Sequence, residues 1–276
     1  LYKENKKQET KGKARMNNAS VQSVNLGLSV SDGQVQEINQ AVLRGTTPFI
    51  ACLRQVGGAQ RFVVGNVVAD AVASALLSLL PKRVKMSSEE VEFWQKYYRG
   101  YYNVKADFSE LEVPAPVEYP TRLRVMHEVI SNRCNPIAAV YEKRVRSKGF
   151  NWWQFTPDLD ASMKSHSRSG TYAIRVRDVR EAEYGFMDGK NLSTQDVWDR
   201  GIVTTTLPER LIDGDVFLLT RGEHLDQEKV NLCADSKTAS GSVPGVCCFP
   251  GVRRVGVGGW CPAFADGFLR FRPAIC

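Results

Sequence analysis

Residues 245–276 read GVCCFPGVRRVGVGGWCPAFADGFLRFRPAIC. This stretch holds four of the chain's seven cysteines and contains no Lys, Glu, Gln or Met. Those four residue types make up about a fifth of an average soluble protein, so their joint absence marks a compositional bias. Apolar runs between turn residues predict short strands at Val243–Cys248, Arg254–Val257 and Phe268–Arg272, with another at Val230–Cys233.

Working back from this stretch, the pattern becomes helical. Thr206-x-x-Glu209 forms a capping box, in which the Thr oxygen accepts one orphan N–H and the Glu reaches back to another. Leu207, Leu211 and Leu218 then give an apolar face, with Gly214 as the weak point of the helix. Ser193 caps a short helix carrying Val197 and Trp198. Thr171–Asp178 alternates as a strand, with Tyr172, Ile174 and Val176 on one face and Arg175 and Arg177 on the other. Residues 158–170 are polar and read as a loop, and Asn151–Phe155 is an aromatic knot containing Trp152 and Trp153. The order strand, helix, helix, several short strands is that of an α+β domain.

The amino-terminal part reads as mainly helical. Helices are expected at 31–45, at 62–80 and from Ser87 onward through Val91, Trp94, Tyr97 and Tyr98. Pro114, Pro116 and Pro120 mark an extended connection. A fourth helix is expected at 121–130, where Leu123, Met126 and Ile130 share one face beside His127, read as a core histidine. The expected organisation is therefore a tail at 1–15, a helical region at 16–150 and an α+β domain at 151–276.

Of the 276 residues, 43% are hydrophobic and 24% are charged. These proportions exclude a collagen-like, wholly disordered or polytopic membrane protein, and seven cysteines are too few for a disulfide scaffold. The net charge is +7, but residues 1–15 alone carry +4, and the rest has 31 basic against 28 acidic residues. The first methionine is Met16, so residues 1–15 read as a disordered or untranslated basic tail, and nucleic acid is not the expected partner. Residues 16–40 show no secretory signal. Asp70 interrupts the most apolar run, Phe62–Leu80, which reads as a buried helix and not as a membrane span. A cytoplasmic or virion-associated product without membrane insertion is expected.

Four readings compete for Cys247, Cys248 and Cys261. Zinc ligands usually come in pairs such as C-x-x-C, which are missing here. A nucleophile needs a base, and His127, His166 and His224 bear no recognisable spacing to any cysteine. Buried structural thiols are the third reading.

The fourth rests on a family likeness. Residues 151–276 resemble the variable proteins of diversity-generating retroelements. The likeness is carried by Thr171-Tyr172-Ala173-Ile174-Arg175-Val176-Arg177-Asp178, Leu207-Pro208-Glu209-Arg210-Leu211, His224-Leu225-Asp226, Leu232-Cys233 and Gly241-Ser242-Val243-Pro244. Trp260, Pro262 and Leu269-Arg270-Phe271-Arg272 complete the order. The resemblance implies a C-type lectin-like carboxyl-terminal domain, related to the formylglycine-generating enzymes, with a variable segment at about 245–272. In such elements adenines of a template copy are randomised. AAC and AAT codons then become Cys, Phe, Gly, Ala, Arg, Val or Pro, but never Lys, Glu, Gln, Met or Trp. Trp260 then belongs to the fixed frame. Asn, Ser, Thr and Tyr, which such codons also yield, are missing from the segment.

The resemblance further implies that Val243, Val246, Val255, Val257, Leu269 and Phe271 point inward. Cys247, Phe249, Gly256, Gly258, Gly259, Cys261, Ala263, Phe264, Gly267 and Phe268 would point outward as the ligand-binding face. Phe249, Phe264 and Phe268 would form one exposed cluster. The function implied is non-enzymatic binding of a protein or surface ligand, with no metal, no cofactor and an optional homo-oligomer. The alternatives are a Cys-dependent enzyme on the formylglycine-generating fold and a basic nucleic-acid module. A calcium site at Asp213, Asp215, Asp226 and Glu228, and base stacking by Tyr97, Tyr98, Tyr101 and Tyr102, are weaker readings of the same chain.

Overall fold

A computed structural model describes residues 82–276. The tail at 1–15 and the helices expected at 31–45 and 62–80 lie outside the described residues. The described chain is a mixed fold of helices and several sheets. In chain order it runs β1 (Arg83–Lys85), α1 (Ser88–Tyr102), β2 (Glu112–Pro114), β3 (Thr121–Met126), α2 (Glu128–Ser131), α3 (Cys134–Ser147) and β4 (Asn151–Gln154). Next come α4 (Leu159–Ser162), β5 (Met163–His166), β6 (Tyr172–Arg177), β7 (Phe186–Met187), β8 (Lys190–Asn191), α5 (Thr194–Asp199) and α6 (Leu207–Arg221). The chain closes with β9 (Val230–Leu232), β10 (Ser236–Thr238), β11 (Val243–Phe249), β12 (Arg254–Trp260), β13 (Leu269–Phe271) and β14 (Ala274–Ile275).

The caps read at Ser193 and Thr206 hold, and the structure adds one at Ser87. Ser87 and Glu90 close the amino terminus of α1, Ser193 and Asp196 that of α5, and Thr206 and Glu209 that of α6. The helix expected at 121–130 does not form. Its first six residues are β3, which pairs antiparallel with β6, and α2 is a single turn that His127 caps by accepting from Val129 N at 3.2 Å. The reason is electrostatic. Arg122 and Arg124 both donate to Asp213, at 2.9 and 2.7 Å, and residues two apart share a face only in a strand.

Elements on the two sides of residue 150 pack together. β3 forms a three-stranded sheet with β6 and β14, and α3 packs along α6. The described part of the expected helical region also contains three strands. A five-stranded sheet, in the order β13-β9-β11-β12-β4, makes the other layer.

Helix α6 is the axis of the fold. Residues Leu207 to Leu218 are all buried, although Glu209, Arg210, Asp213 and Asp215 lie among them. A charge is tolerated there only when it is paired. Glu209 pairs with Arg168 and accepts from Tyr172 Oη at 2.9 Å. Asp215 pairs with Arg144 and accepts from Tyr97 Oη at 2.7 Å. Asp226 holds both Arg210 and Arg272. Around Asp213, the guanidinium groups of Arg122 and Arg124 overcome the cost of burial and hold its carboxyl far below the usual range. Gly214 now has a reason: a Cβ there would stand 2.8 Å from the Tyr141 ring, so its absence lets α3 close on α6.

His224 is also buried, with its ring 4.3 Å from that of Phe150 and neither nitrogen hydrogen-bonded among the described residues. Burial, with Arg210 and Lys148 nearby, lowers its pKa from 6.5 to about 4. The unfolded chain takes up this proton at higher pH than the folded one. Stability from this group is therefore full above pH 6.5 and drains as pH falls toward 4.

Two outcomes are expected. Asp213→Asn leaves three buried arginines short of counter-charge and should destabilise the protein by about 3–5 kcal/mol in denaturant melts. His224→Phe keeps the ring contact but removes the titration. Its stability should fall less than wild type's between pH 6.5 and 4, the difference reaching up to ~1.4 kcal/mol per pH unit. Equal losses in the two proteins would refute the assignment.

Candidate ligand-binding face

β11 and β12 form a hairpin in which Val246 faces Val257, Cys248 faces Val255, Cys247 faces Gly256 and Gly245 faces Gly258. Val246, Cys248, Val255 and Val257 pack into the larger core. Val243, Cys247, Leu269 and Phe271 pack into a second core with Leu192, Val197, Val230, Leu232 and Ala234. All six positions expected to point inward are buried.

The sheet is thus covered on both faces, which changes the outward set. Cys247, Gly256 and Gly258 lie opposite Val246, Val255 and Val257 as expected, yet all three are buried. A Cβ at Gly256 would come 2.9 Å from the Trp153 ring. A Cβ at Gly258 would come 2.4 Å from the Trp260 ring, which also lies over Gly245. Trp260 and Trp153 therefore roof the strand face assigned to ligand, and the glycines are the grooves the indoles need. These three positions are not displayed.

Gly259, Cys261, Ala263, Phe264 and Phe268 are exposed, and Gly267 is half-buried. Apart from Gly259 at the end of β12, they belong to the loop joining β12 to β13. Its backbone is tied down along its length. Gln195 N donates to Pro262 O at 3.0 Å, Phe264 N to Cys261 O at 3.0 Å, and Phe268 N to the Asp266 carboxylate at 3.1 Å. Lys229 Nζ donates to Gly267 O at 3.1 Å and Arg270 Nη1 to Asp266 O at 3.2 Å. The side chains of Phe264 and Phe268 are 45% and 42% exposed, with ring centroids 6.5 Å apart. Large apolar rings displayed from a pinned backbone suit recognition, because little ordering entropy remains to be lost on binding.

Phe249 does not join them. It stands at the other end of β12, about 20 Å away along seven strand residues. There it neighbours Arg254, whose guanidinium lies 5.9 Å from the Phe249 ring and 6.0 Å from that of Trp153, and Val252 is 64% exposed at the turn. The expected single cluster is two separate patches, and sequence reasoning had not placed Trp153 in either.

The other constellations resolve as follows. Burial pushes the thiols of Cys247 and Cys248 up to about 12, so neither is a thiolate at neutral pH. Cys261 is exposed. The structure instead brings Cys134 Sγ to 3.8 Å from His166 Nε2, a pair separated by 32 residues that local spacing does not reveal, but this thiol is fully buried and burial raises its pKa strongly. Asp213, Asp215 and Asp226 are occupied by arginines, and no group of metal-ligating side chains occurs among the described residues. Tyr97 and Tyr98 are buried, the latter donating to Val125 O at 2.8 Å, so they form a packed ridge and not a stacking platform. No helix among the described residues is long and apolar enough to cross a membrane. No protein-family model matches the chain, and no curated protein or solved structure matches it.

Substitutions separate display positions from frame positions. Gly258→Leu must displace the Trp260 indole and should cost at least about 1–3 kcal/mol, as overpacking does. Ala263→Leu, on the open loop, should stay within about 0.5 kcal/mol of wild type. Thermal melts of the two variants check both.

Proposed function

We propose that this chain is a ligand-binding protein, not an enzyme, which recognises a protein or surface ligand through the loop at 261–268. On this reading residues 245–272 are the variable segment of a retroelement target protein, and the α+β fold around them is C-type lectin-like. The observation that carries it is the division of labour within the segment. Its strand positions fill two cores, whereas Cys261, Ala263, Phe264 and Phe268 project from a backbone held by hydrogen bonds. Random side chains at the projecting positions leave the fold intact, which is what a diversified surface requires. Cys261, Ala263, Phe264 and Phe268 are all residue types that randomised AAC and AAT codons can encode. Trp260 fits as a frame residue because its ring covers Gly245 and Gly258.

The decisive experiment is to sequence the DNA flanking the gene. A near-copy of codons 245–276 that differs at template adenines, beside a reverse-transcriptase gene, is the expected finding. The mismatches should fall on codons 261, 263, 264 and 268 and spare those for Val246, Val255, Val257 and Trp260. Absence of both elements within several kilobases defeats the proposal. On the protein itself, Phe264→Ser with Phe268→Ser should change the melting temperature little while abolishing binding to a ligand selected against the wild-type surface.

A further inference from the structure

A second concave site lies away from the variable segment's loop. A cleft of about 450 Å³ opens between β6, the 179–184 loop and the carboxyl-terminal residues. Pro273 and Ile275 give it an apolar wall, and Tyr119 and Tyr184 contribute rings to its lining. This size is within the range of small-molecule sites.

Its charged groups are unequally matched. Arg177 pairs with Glu183 and lies 5.7 Å from the Tyr119 ring. Arg272 is consumed by Asp226 and by the carbonyls of Val179 and Arg180. Arg175 differs. It is only 7% exposed, and its Nε donates to Pro114 O at 2.6 Å. This is its only side-chain hydrogen bond among the described residues, and its outer nitrogens keep some contact with solvent. Glu90, the nearest carboxylate, stands 3.8 Å from Nη2, and its other oxygen accepts from Ser87 N in the cap of α1. A guanidinium at a cleft with one loose carboxylate partner and accessible outer donors can take a second oxyanion, and its planar fork suits a carboxylate.

We infer that this cleft binds a small carboxylate carried on a flat apolar body, with the carboxylate on the outer nitrogens of Arg175 and the body against Tyr119, Tyr184 and Ile275. The site is independent of the loop at 261–268 and of any diversification of it.

The test is calorimetric titration of the full chain with sodium benzoate, using benzamide as the neutral isostere. Benzoate should bind at least about tenfold more tightly than benzamide, the ratio expected for one charge-assisted contact. Arg175→Gln should erase that ratio. Because Arg175 also anchors Pro114, Tyr119→Ala provides a variant at an exposed ring that leaves the fold alone, and it should weaken both probes severalfold. Equal affinity for the two probes, no benzoate binding, or benzoate binding untouched by Tyr119→Ala would each overturn the assignment.

Discussion

The fold depends on neutralising Asp213 inside the protein. This carboxylate sits on a helix with no solvent-facing side along its first twelve residues, so it must meet cations from neighbouring elements. Arg122 and Arg124 come from β3, and Arg272 approaches within 3.8 Å from the residue after β13. Arg272 also binds Asp226, which in turn binds Arg210 of α6. One network thus ties β3, the central helix and the carboxyl-terminal segment together. Each member is expensive to bury alone, which makes the arrangement all-or-none and specifies one packing.

This network explains how a carboxyl-terminal segment rich in Gly and Cys stays ordered. β13 and β14 are short, yet Arg272 between them is clamped by two aspartates and three backbone carbonyls. The β11–β12 hairpin is held on one face by α6 and on the other by the second core under Trp260. With both faces buried, the strands have no side chains left for a ligand. Display passes to the two ends of β12, and of these only the loop at 261–268 presents two large rings on a backbone braced by neighbouring elements. On the proposed binding reading, the buried network supplies the rigid interior from which this loop is displayed.

Much of the local structure was legible in the sequence because it rests on short-range rules. Capping boxes at Ser87, Ser193 and Thr206 satisfy orphan N–H groups within three residues, and alternation identified β6 and the last strands. The error at 121–130 is instructive. Leu123, Met126 and Ile130 fit a helical face, but Leu123 and Val125 against Arg122 and Arg124 fit a strand equally well. Periodicity alone could not choose between them. The choice was made by a carboxylate 89 residues away.

By itself, the sequence determined α1, α5, α6, β6, β9 and β11–β13, but it left α3 unmarked, read 158–170 as a loop where α4 and β5 form, and read an aromatic knot where β4 forms. The elements it determined follow from hydrogen-bond capping and side-chain period, which act locally along the chain. The tertiary structure alone decided which outward-pointing residues reach solvent. Strand parity fixes a side chain's face, but whether that face is open depends on what packs over it. Here Trp153 and Trp260 lie across Gly256 and Gly258 and close a surface that parity left exposed. The same holds for Arg175: the sequence put it on the polar face of β6, and only the fold set it at the lining of a cleft.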